Sequence, residues 1–455
     1  MTGILALLLA AQLSVNASNF LELRLLRDGR ERLINELSFD LFYDNFKAGF
    51  TFATYQPETL LEFQRRSEVL KKYIEYRSGP LTARGGYFYS TFGHGLLLYA
   101  ARDEVLQMDR FVEGADLRLK FRGIKGEFLV GKPRVFEEYR LREDSLSLLQ
   151  AVDLAASPLS FLKVGGSFLR ASDSLRYLRS DFLAGRTELS VGPLNLYFEY
   201  AKRWGYNRML KKKKNGAADY LSLSYSGAGL GLTFEFRDYW LFGKEYGIPP
   251  SLSKNGFYLN SAMDERGFSL KLDLGLIDGL DVNLYGSHLF STEHFGPKSD
   301  LKELGGKADG YVGPLEYTLS LSYMNFEGAK DALGLDRRRE IDPEATLILR
   351  LSDLYSISLY GRNRMRKDDD KKYSDIDAYL TSSLFSIIDL TLAGSKRTGD
   401  LEGKWGRIEL FLHAGGMLDM ILTYGSERGD FVCSGGICRY EPEFKGFKVK
   451  AAINF

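Results

Sequence analysis

The amino-acid sequence predicts an all-β fold: a transmembrane antiparallel up-and-down β-barrel of about 24 strands, within a range of about 22 to 26. Three observations predict it. Apolar and polar residues alternate along strand-length segments. No apolar run beyond the first residues approaches the about 18 that a membrane helix needs. Short turns alternate with long polar connections, as tight turns on one rim and long loops on the other require. Only helices and closed barrels satisfy every backbone polar group in lipid, so a spanning chain with strands and no membrane helices closes into a barrel.

Composition narrows the function classes. The 455 residues would allow about three ordinary domains, although closed β folds exceed that size as one. With Lys+Arg 61 against Asp+Glu 60, the net charge of +1 provides no one-sign field, and nucleic acid is not an expected partner. The segment Ile4 to Leu13 is apolar, small residues follow at Val15 and Ala17, and no Lys or Arg precedes Ile4. Residues 1–17 are therefore expected to be a secretory signal peptide, and residues 18–455 a single barrel domain.

The elements follow in chain order. Asn19 to Leu26 is the expected first strand. Short turns are expected at Tyr43 to Phe46, Ser78 to Leu81, Gly123 to Gly126, Ala156 to Leu159, and the VGPL stretch Val191 to Leu194. The series continues at Ser226 to Gly229, Ile277 to Gly279, the second VGPL at Val312 to Leu315, Ser352 to Tyr355, Phe385 to Ile388 and Ala414 to Gly416. In Phe268 to Leu284 the apolar positions Phe268, Leu270, Leu272 and Leu274, then Leu280, Val282 and Leu284, flank Ser269, Lys271, Asp273, Asp281 and Asn283. That is the period of a strand with one oily and one wet face. Long connections are expected from Arg134, Trp204, Tyr239 and Phe326, so that the alternation of turn and loop is sustained from about Arg27 to Pro442. About eleven hairpins and the two terminal strands give the even number that places both termini on the short-turn, periplasmic side. Trp204, Trp240 and Trp405 fall where a strand meets a loop, where rings favour the lipid–water boundary.

The last strand, Gly446 to Phe455, puts Phe447, Val449, Ala451, Ile453 and terminal Phe455 on one face. It resembles the last strand of bacterial outer-membrane barrels, which ends in an aromatic residue. The resemblance implies that Phe455 is the signal read by the barrel-assembly machinery. The ending CSGGICRYEPEFKGFKVKAAINF, with FGHGLLL at Phe92 to Leu98, EGADL at Glu113 to Leu117 and IPPSL at Ile248 to Leu252, is similar to a domain-of-unknown-function barrel family of the Bacteroidota and related bacteria. The resemblance implies the fold and an outer-membrane location, and carries no chemistry.

Candidate sites follow from residue type and place. Cys433 and Cys438 flank Ser-Gly-Gly-Ile in the last long loop; an exported chain is oxidised, so a loop-closing disulfide is expected, with free thiols as the alternative. No histidine is near them in sequence, and His94, His288, His294 and His413 are scattered, so neither a metal nor a cofactor is expected. The connection Tyr89 to Asp109 is apolar for an exposed loop: it either folds into the barrel as a constriction or packs outside it. Arg208 and Lys211, Lys212, Lys213 and Lys214 form a loop patch, suited to anionic solutes or lipopolysaccharide phosphates or simply solvated. Arg337 to Arg339 and Lys367 to Lys372 carry the same two readings. The loop Tyr239 to Arg266, with Trp240 and Tyr246, suits a ligand-contacting lid or a self-packed cap. Glu199, Lys271, Asp273, Asp281, Glu316 and Arg350 are expected to line the lumen.

No P-loop, zinc-protease helix motif or nucleophile elbow is present, and a non-enzymatic role is expected. The leading expectation is a porin or substrate-gated channel that passes a small solute through the outer membrane, in contact with its lipid and lipopolysaccharide. The alternative is a scaffold or adhesion barrel whose loops bind a protein or polysaccharide partner. An energy-coupled importer and a barrel enzyme rank below both.

Overall fold

The computed structural model describes residues 14–56, 66–103, 108–137, 140–142, 147–173, 178–207, 212–242, 246–254, 256, 259, 264–277, 279–291, 298–328, 336–434 and 437–455. Twenty-four antiparallel strands form the wall. The first eight are β1 (Ser14–Leu26), β2 (Glu31–Tyr43), β3 (Phe46–Gln56), β4 (Arg66–Ser78), β5 (Leu81–Phe88), β6 (Met108–Phe121), β7 (Ile124–Glu137) and β8 (Ser147–Leu159). Next come β9 (Leu162–Asp173), β10 (Leu178–Val191), β11 (Leu194–Asn207), β12 (Lys212–Gly227), β13 (Leu230–Trp240), β14 (Asp264–Ile277), β15 (Leu280–Phe290) and β16 (Asp300–Val312). The last eight are β17 (Leu315–Glu327), β18 (Arg337–Ser352), β19 (Tyr355–Asp368), β20 (Lys371–Leu384), β21 (Ile388–Gly399), β22 (Gly403–Ala414), β23 (Leu418–Glu427) and β24 (Phe444–Asn454). Each pairs with its sequence neighbours, and β24 pairs with β1 from Ser18↔Asn454 to Leu26↔Gly446. That ladder closes the ring and leaves no free sheet edge between the termini.

The period-2 pattern sorts the two faces. On β1, Glu22 and Arg24 are fully buried and face inward, paired at 2.7 Å, while Leu25 is exposed on the outer face. On β14, Phe268 and Leu270 are exposed outward. On β24, inward Lys450 and Lys448 reach Glu22 and Glu427. The opposite face, Phe447 to Ile453, meets lipid.

One rim carries the termini and the eleven tight turns. The two VGPL turns and the SGPL turn have the same construction: Gly192, Gly313 and Gly79 take φ near +55 (56, 58 and 53°), and the following proline fixes the second turn residue. In each, the proline carbonyl then accepts an N–H from the next hairpin: Pro80 from Lys120, Pro193 from Ser226 and Pro314 from Arg350. Two turns lie elsewhere than the sequence predicts. Arg122 and Gly123 turn the chain, with φ of 41° and 84°, because a two-residue hairpin of this twist needs positive φ at both positions. Residues 156–159 remain in β8 as a bulge that absorbs Pro158, and the turn falls at Ser160 and Phe161.

The opposite rim departs further from expectation. Three of its connections are short: Arg27 to Arg30, Asp369 to Asp370, and Asp400 to Glu402. The alternation of turn and long loop is therefore not sustained along the chain. In KDDDKK, Asp369 takes φ 50° and accepts the Asp336 and Arg337 N–H groups, which makes a charged stretch into a two-residue hairpin. β11, β12, β17 and β18 likewise run further than predicted, taking residues expected in loops.

The wall is pinched at one place. Gly86, Gly114 and Gly131 stand in one row across β5, β6 and β7. A Cβ at Gly114 would fall on the Val130 carbonyl oxygen and the Gly131 Cα, so the three backbones approach closer than any side chain allows. Gly114→Val is expected to cost at or above the roughly 3 kcal/mol upper end of ordinary overpacking. Loss of the fast-migrating folded band in unheated gels would show it; a wild-type band would contradict the pinch.

Candidate functional site: an occluded lumen

At a strand spacing of about 4.8 Å and a tilt of about 40°, 24 strands enclose a perimeter of roughly 150 Å. Such a lumen is an open hole unless something fills it. Two connections do. After β5 the chain turns inward, and Phe92, Leu96, Leu97 and Leu98 are 0–2% exposed. They belong to one apolar cluster with inward side chains of the wall, among them Leu149, Leu169 and Ala201. The constriction alternative for Tyr89 to Asp109 is thus the one observed.

Its anchor lies about mid-strand. Glu199 is the sixth residue of β11 from the turn rim and accepts the His94 N–H at 3.1 Å and the Tyr197 hydroxyl at 2.6 Å. The His94 ring stands 4.0 Å from that of Tyr197 and 5.5 Å from that of Tyr220. A side chain at Gly93, φ 56°, would push the Glu199 carboxylate aside, so glycine there favours the bond that anchors the segment.

The second connection, after β13, meets the first. The Tyr99 N–H donates to the Tyr246 carbonyl at 3.0 Å, and Phe242 and Leu252 join the same cluster. Its ends are held across the ring. The Tyr246 hydroxyl is 3.4 Å from Ser147 on β8, and Glu303 on β16 accepts the Ser253 hydroxyl at 2.9 Å and the Lys254 N–H at 3.0 Å. Arg237, fully buried, donates to the Pro250 carbonyl at 2.6 Å and pairs with buried Glu265. The described residues of this loop pack within the ring rather than capping its mouth. Phe257 and Tyr258 lie outside the described residues.

The opposite half of the wall is polar. Arg362 bonds Asp342 at 2.7 Å, Arg366 bonds Glu340 at 2.7 Å, and Arg397 bonds Asp375 at 2.6 Å. Asp430, beyond β23, reaches Arg364 on β19 at 3.2 Å, and Arg428 lies 3.1 Å from Asp375. The segment after β23 therefore also crosses the inner face. It continues into a small hairpin, Asp430–Ser434 with Ile437–Glu441, whose register sets Cys433 directly opposite Cys438.

The predicted site residues separate clearly. Lys271, Asp273, Asp281, Glu316 and Arg350 share the inward face with Glu199 but stay exposed or half-exposed nearer the turn rim. There Arg350 and Glu316 pair at 2.7 Å, and Asn283 donates to Asp273 at 2.9 Å. The lysine patch is a correction: Lys212, Lys213 and Lys214 are strand residues of β12 paired with Asn207, Tyr206 and Gly205, because the hairpin extends beyond the apolar band. Arg208, Lys211 and His294 lie outside the described residues. Arg337 to Arg339 likewise open β18 rather than filling a loop. Trp204 and Trp240 are exposed on the outer face. Trp405 shares the inward face with Arg407 and donates to Glu443 at 3.0 Å, so it is no boundary ring. Phe455 is 74% exposed, its N–H bonded to the Ala17 carbonyl at 2.8 Å. No cluster of His, Cys, Asp or Glu fit for a metal occurs among the described residues.

Burial pushes the His94 imidazole below its ordinary range, against the opposing pull of Glu188 and Glu235, with Arg186 adding to the depression. A depressed value in the seated loop means that neutral His94 stabilises the seat above the free imidazole pKa of about 6.5, and that this is lost as pH falls through the seated value. Protease cleavage of the unseated segment 92–100 is expected to quicken on acidification, and His94→Phe to flatten the profile. Identical pH profiles for both proteins would refute the assignment.

A closed ring of 24 strands, oily outside and with its own connections packed on the inner wall, defines an integral outer-membrane β-barrel protein. The chain belongs to the family of unknown function DUF6029, whose model matches residues 22–245 and 415–455. No curated protein matches the sequence. Among solved structures it is similar to the usher in the E. coli P pilus tip assembly intermediate PapC-PapD-PapK-PapG, with TM-score 0.60 and 11% identity over 98% of this chain. The chain spans 61% of the length of that usher chain. It is also similar to the P pilus usher (PapC) translocation pore, with TM-score 0.51 and 12% identity over 97% of this chain and 99% of that one. At these identities the likeness is one of fold.

Proposed function

We propose that this protein is a gated channel for passage of a small hydrophilic solute across the outer membrane, closed at rest by its two inward connections. The observation that carries the reading is the meeting of those connections inside the ring, at Tyr99 and Tyr246, over a fully buried apolar cluster. An apolar constriction excludes water and ions, so it gates by dewetting. Below it, exposed charges of both signs, Lys271, Asp273, Asp281, Glu316 and Arg350, form a wet vestibule towards the turn rim. Mixed charge favours no single ionic sign and suits a polar solute. The paired arginines of β19 provide a second, polar wall along which a solute could move once the plug shifts. The role is non-enzymatic, and a Cys433–Cys438 bond stiffens the hairpin at the loop rim.

Planar-bilayer recording of the purified protein tests this. Brief openings from a closed baseline are expected. A permanently open wide pore would contradict gating. Silence both in the native protein and after the plug is disabled would contradict a channel and favour the scaffold reading, which co-purification of a stoichiometric partner in mild detergent would support.

A further inference from the structure

One cross-strand row on the outer face changes character along its length. It starts apolar, with Gly85 on β5, Ala115 on β6 and Val130 on β7 paired in register. It passes through exposed Gln150 on β8 and ends polar, at Arg170 on β9, Asp181 on β10 and Trp204 on β11. Strands tilted by about 40° and spaced about 4.8 Å apart lift such a row by about 3 Å per strand. Gly85 stands four residues beyond Leu81 at its tight turn, and Trp204 ten beyond Leu194 at its own, so the row climbs from the turn side to the loop rim.

The apolar half is a groove of about 790 Å³, with Gly85 and Ala115 between Ile74 and Tyr76 on one side and Phe128 and Phe168 on the other. A Cβ at Gly85 would meet only Ile74 Cγ2, at 3.8 Å, so the space above it is open. From β5 to β9 the groove runs about 19 Å, enough for an extended acyl chain. The polar half has a surplus of positive charge. Arg170 and Arg179 share one carboxylate, Asp181, at 2.7 and 2.8 Å, and are 36% and 42% exposed. Among the described residues the Arg170 Nη groups donate to nothing, and exposed Lys202 has no carboxylate within ion-pair reach. Lys202 Nζ lies 5.3 Å from the centre of the Trp204 ring. On the outer face of β13 to β16 the balance differs, because Arg266 pairs with Asp238 and Lys302 with Asp300. Groove and patch join where the Arg170 guanidinium lies 5.5 Å from the Phe168 ring.

We infer that groove and patch together bind a phosphorylated glycolipid of the outer leaflet. One acyl chain lies in the groove, and Arg170, Arg179 and Lys202 receive the phosphate, three cations against one acid. The place of the patch at the loop rim assigns the outer leaflet. Exposed Trp204 and the Gln150 amide, an apolar ring and a hydrogen-bonding group beside the cations, suit a sugar head. The inference goes beyond solute passage and does not depend on it.

Native mass spectrometry of the full chain in detergent tests this. The delipidated protein is given purified lipid A, lipid A stripped of its phosphates, or phosphatidylglycerol. Retained lipid A is expected, with each of the other two retained about tenfold less. Arg170→Gln with Arg179→Gln and Lys202→Gln should lower lipid A to the level of its phosphate-free form. Gly85→Leu with Ala115→Phe, which fills the groove, should lower both forms. Mobility in unheated gels reports whether each variant folds. Should either fail to fold, the preference of the native protein for lipid A over its phosphate-free form still decides. Equal retention of those two forms, retention of phosphatidylglycerol as strong as that of lipid A, or lipid A retention unchanged in a folded variant would overturn the proposal.

Discussion

Replacing residues 92–100 with a glycine-serine segment of equal length is expected to turn a mostly closed barrel into a pore with stable steps of nanosiemens order. The size of the effect follows from what seats the plug. Phe92, Leu96, Leu97 and Leu98 are essentially fully buried. At about 1.5–3 kcal/mol each, their burial contributes roughly 6–12 kcal/mol to the seated state. Every 1.4 kcal/mol is a tenfold shift in population, so even the lower end leaves the unplugged state rare in the native protein. The replacement removes that term while the glycine-serine chain still connects β5 to β6, so the barrel itself should keep its folded mobility in gels. A variant that folds but conducts like the native protein would show that these residues do not close the lumen.

Arg237→Ala has the second largest expected effect. Arg237 and Glu265 are both 0% exposed, and the arginine also holds the Pro250 carbonyl. Glu265 in turn accepts the Leu259 N–H, so the pair fastens the second connection at two points. Removing the cation leaves a buried carboxylate without its partner, a change that costs about 3–5 kcal/mol. The loss should appear as protease cleavage within residues 241–263 and more frequent openings, with the barrel intact. Arg237→Met with Glu265→Leu should recover most of the protection, because a buried pair replaced by apolar groups of similar volume is often neutral or better. If single and double variants are cleaved alike, the loop is held by something other than this pair.

The wall was legible in the sequence wherever one face meets lipid. The alternation in Phe268 to Leu284 and in Phe447 to Phe455 marks membrane-facing strands directly, because lipid demands an apolar side chain at every second position. The same signal stops at the edge of the hydrocarbon. Beyond it β18 continues through Arg337 to Arg339 on ion pairs, Arg338 with Asp368 at 3.0 Å and Arg339 with Glu327 at 3.4 Å, and charged strand ends look like loops when only hydropathy is followed. Trp405 escaped for a related reason: its place beside a connection suggests a boundary ring, but its parity with Arg407 and Glu409 puts it inside.

The plug was half legible. Phe92 to Leu98 is too apolar for an exposed loop, which flagged it, yet inside and outside could not be separated because the deciding contact is made by Glu199, 105 residues away. Arg237, Glu265 and Glu303 were missed altogether. Their signal was parity: each stands on the inward face near the loop rim, where a charge must find a partner or be solvated.

Cross-linking across the lumen tests the central claim most directly. In a protein with Cys433→Ser and Cys438→Ser, His94→Cys and Glu199→Cys should be joined in intact outer membranes by a short bis-maleimide, and the linked protein should lose its openings. Absence of the link in a folded barrel, with residues 92–100 open to external protease, would place the connection outside the lumen and contradict the gated channel.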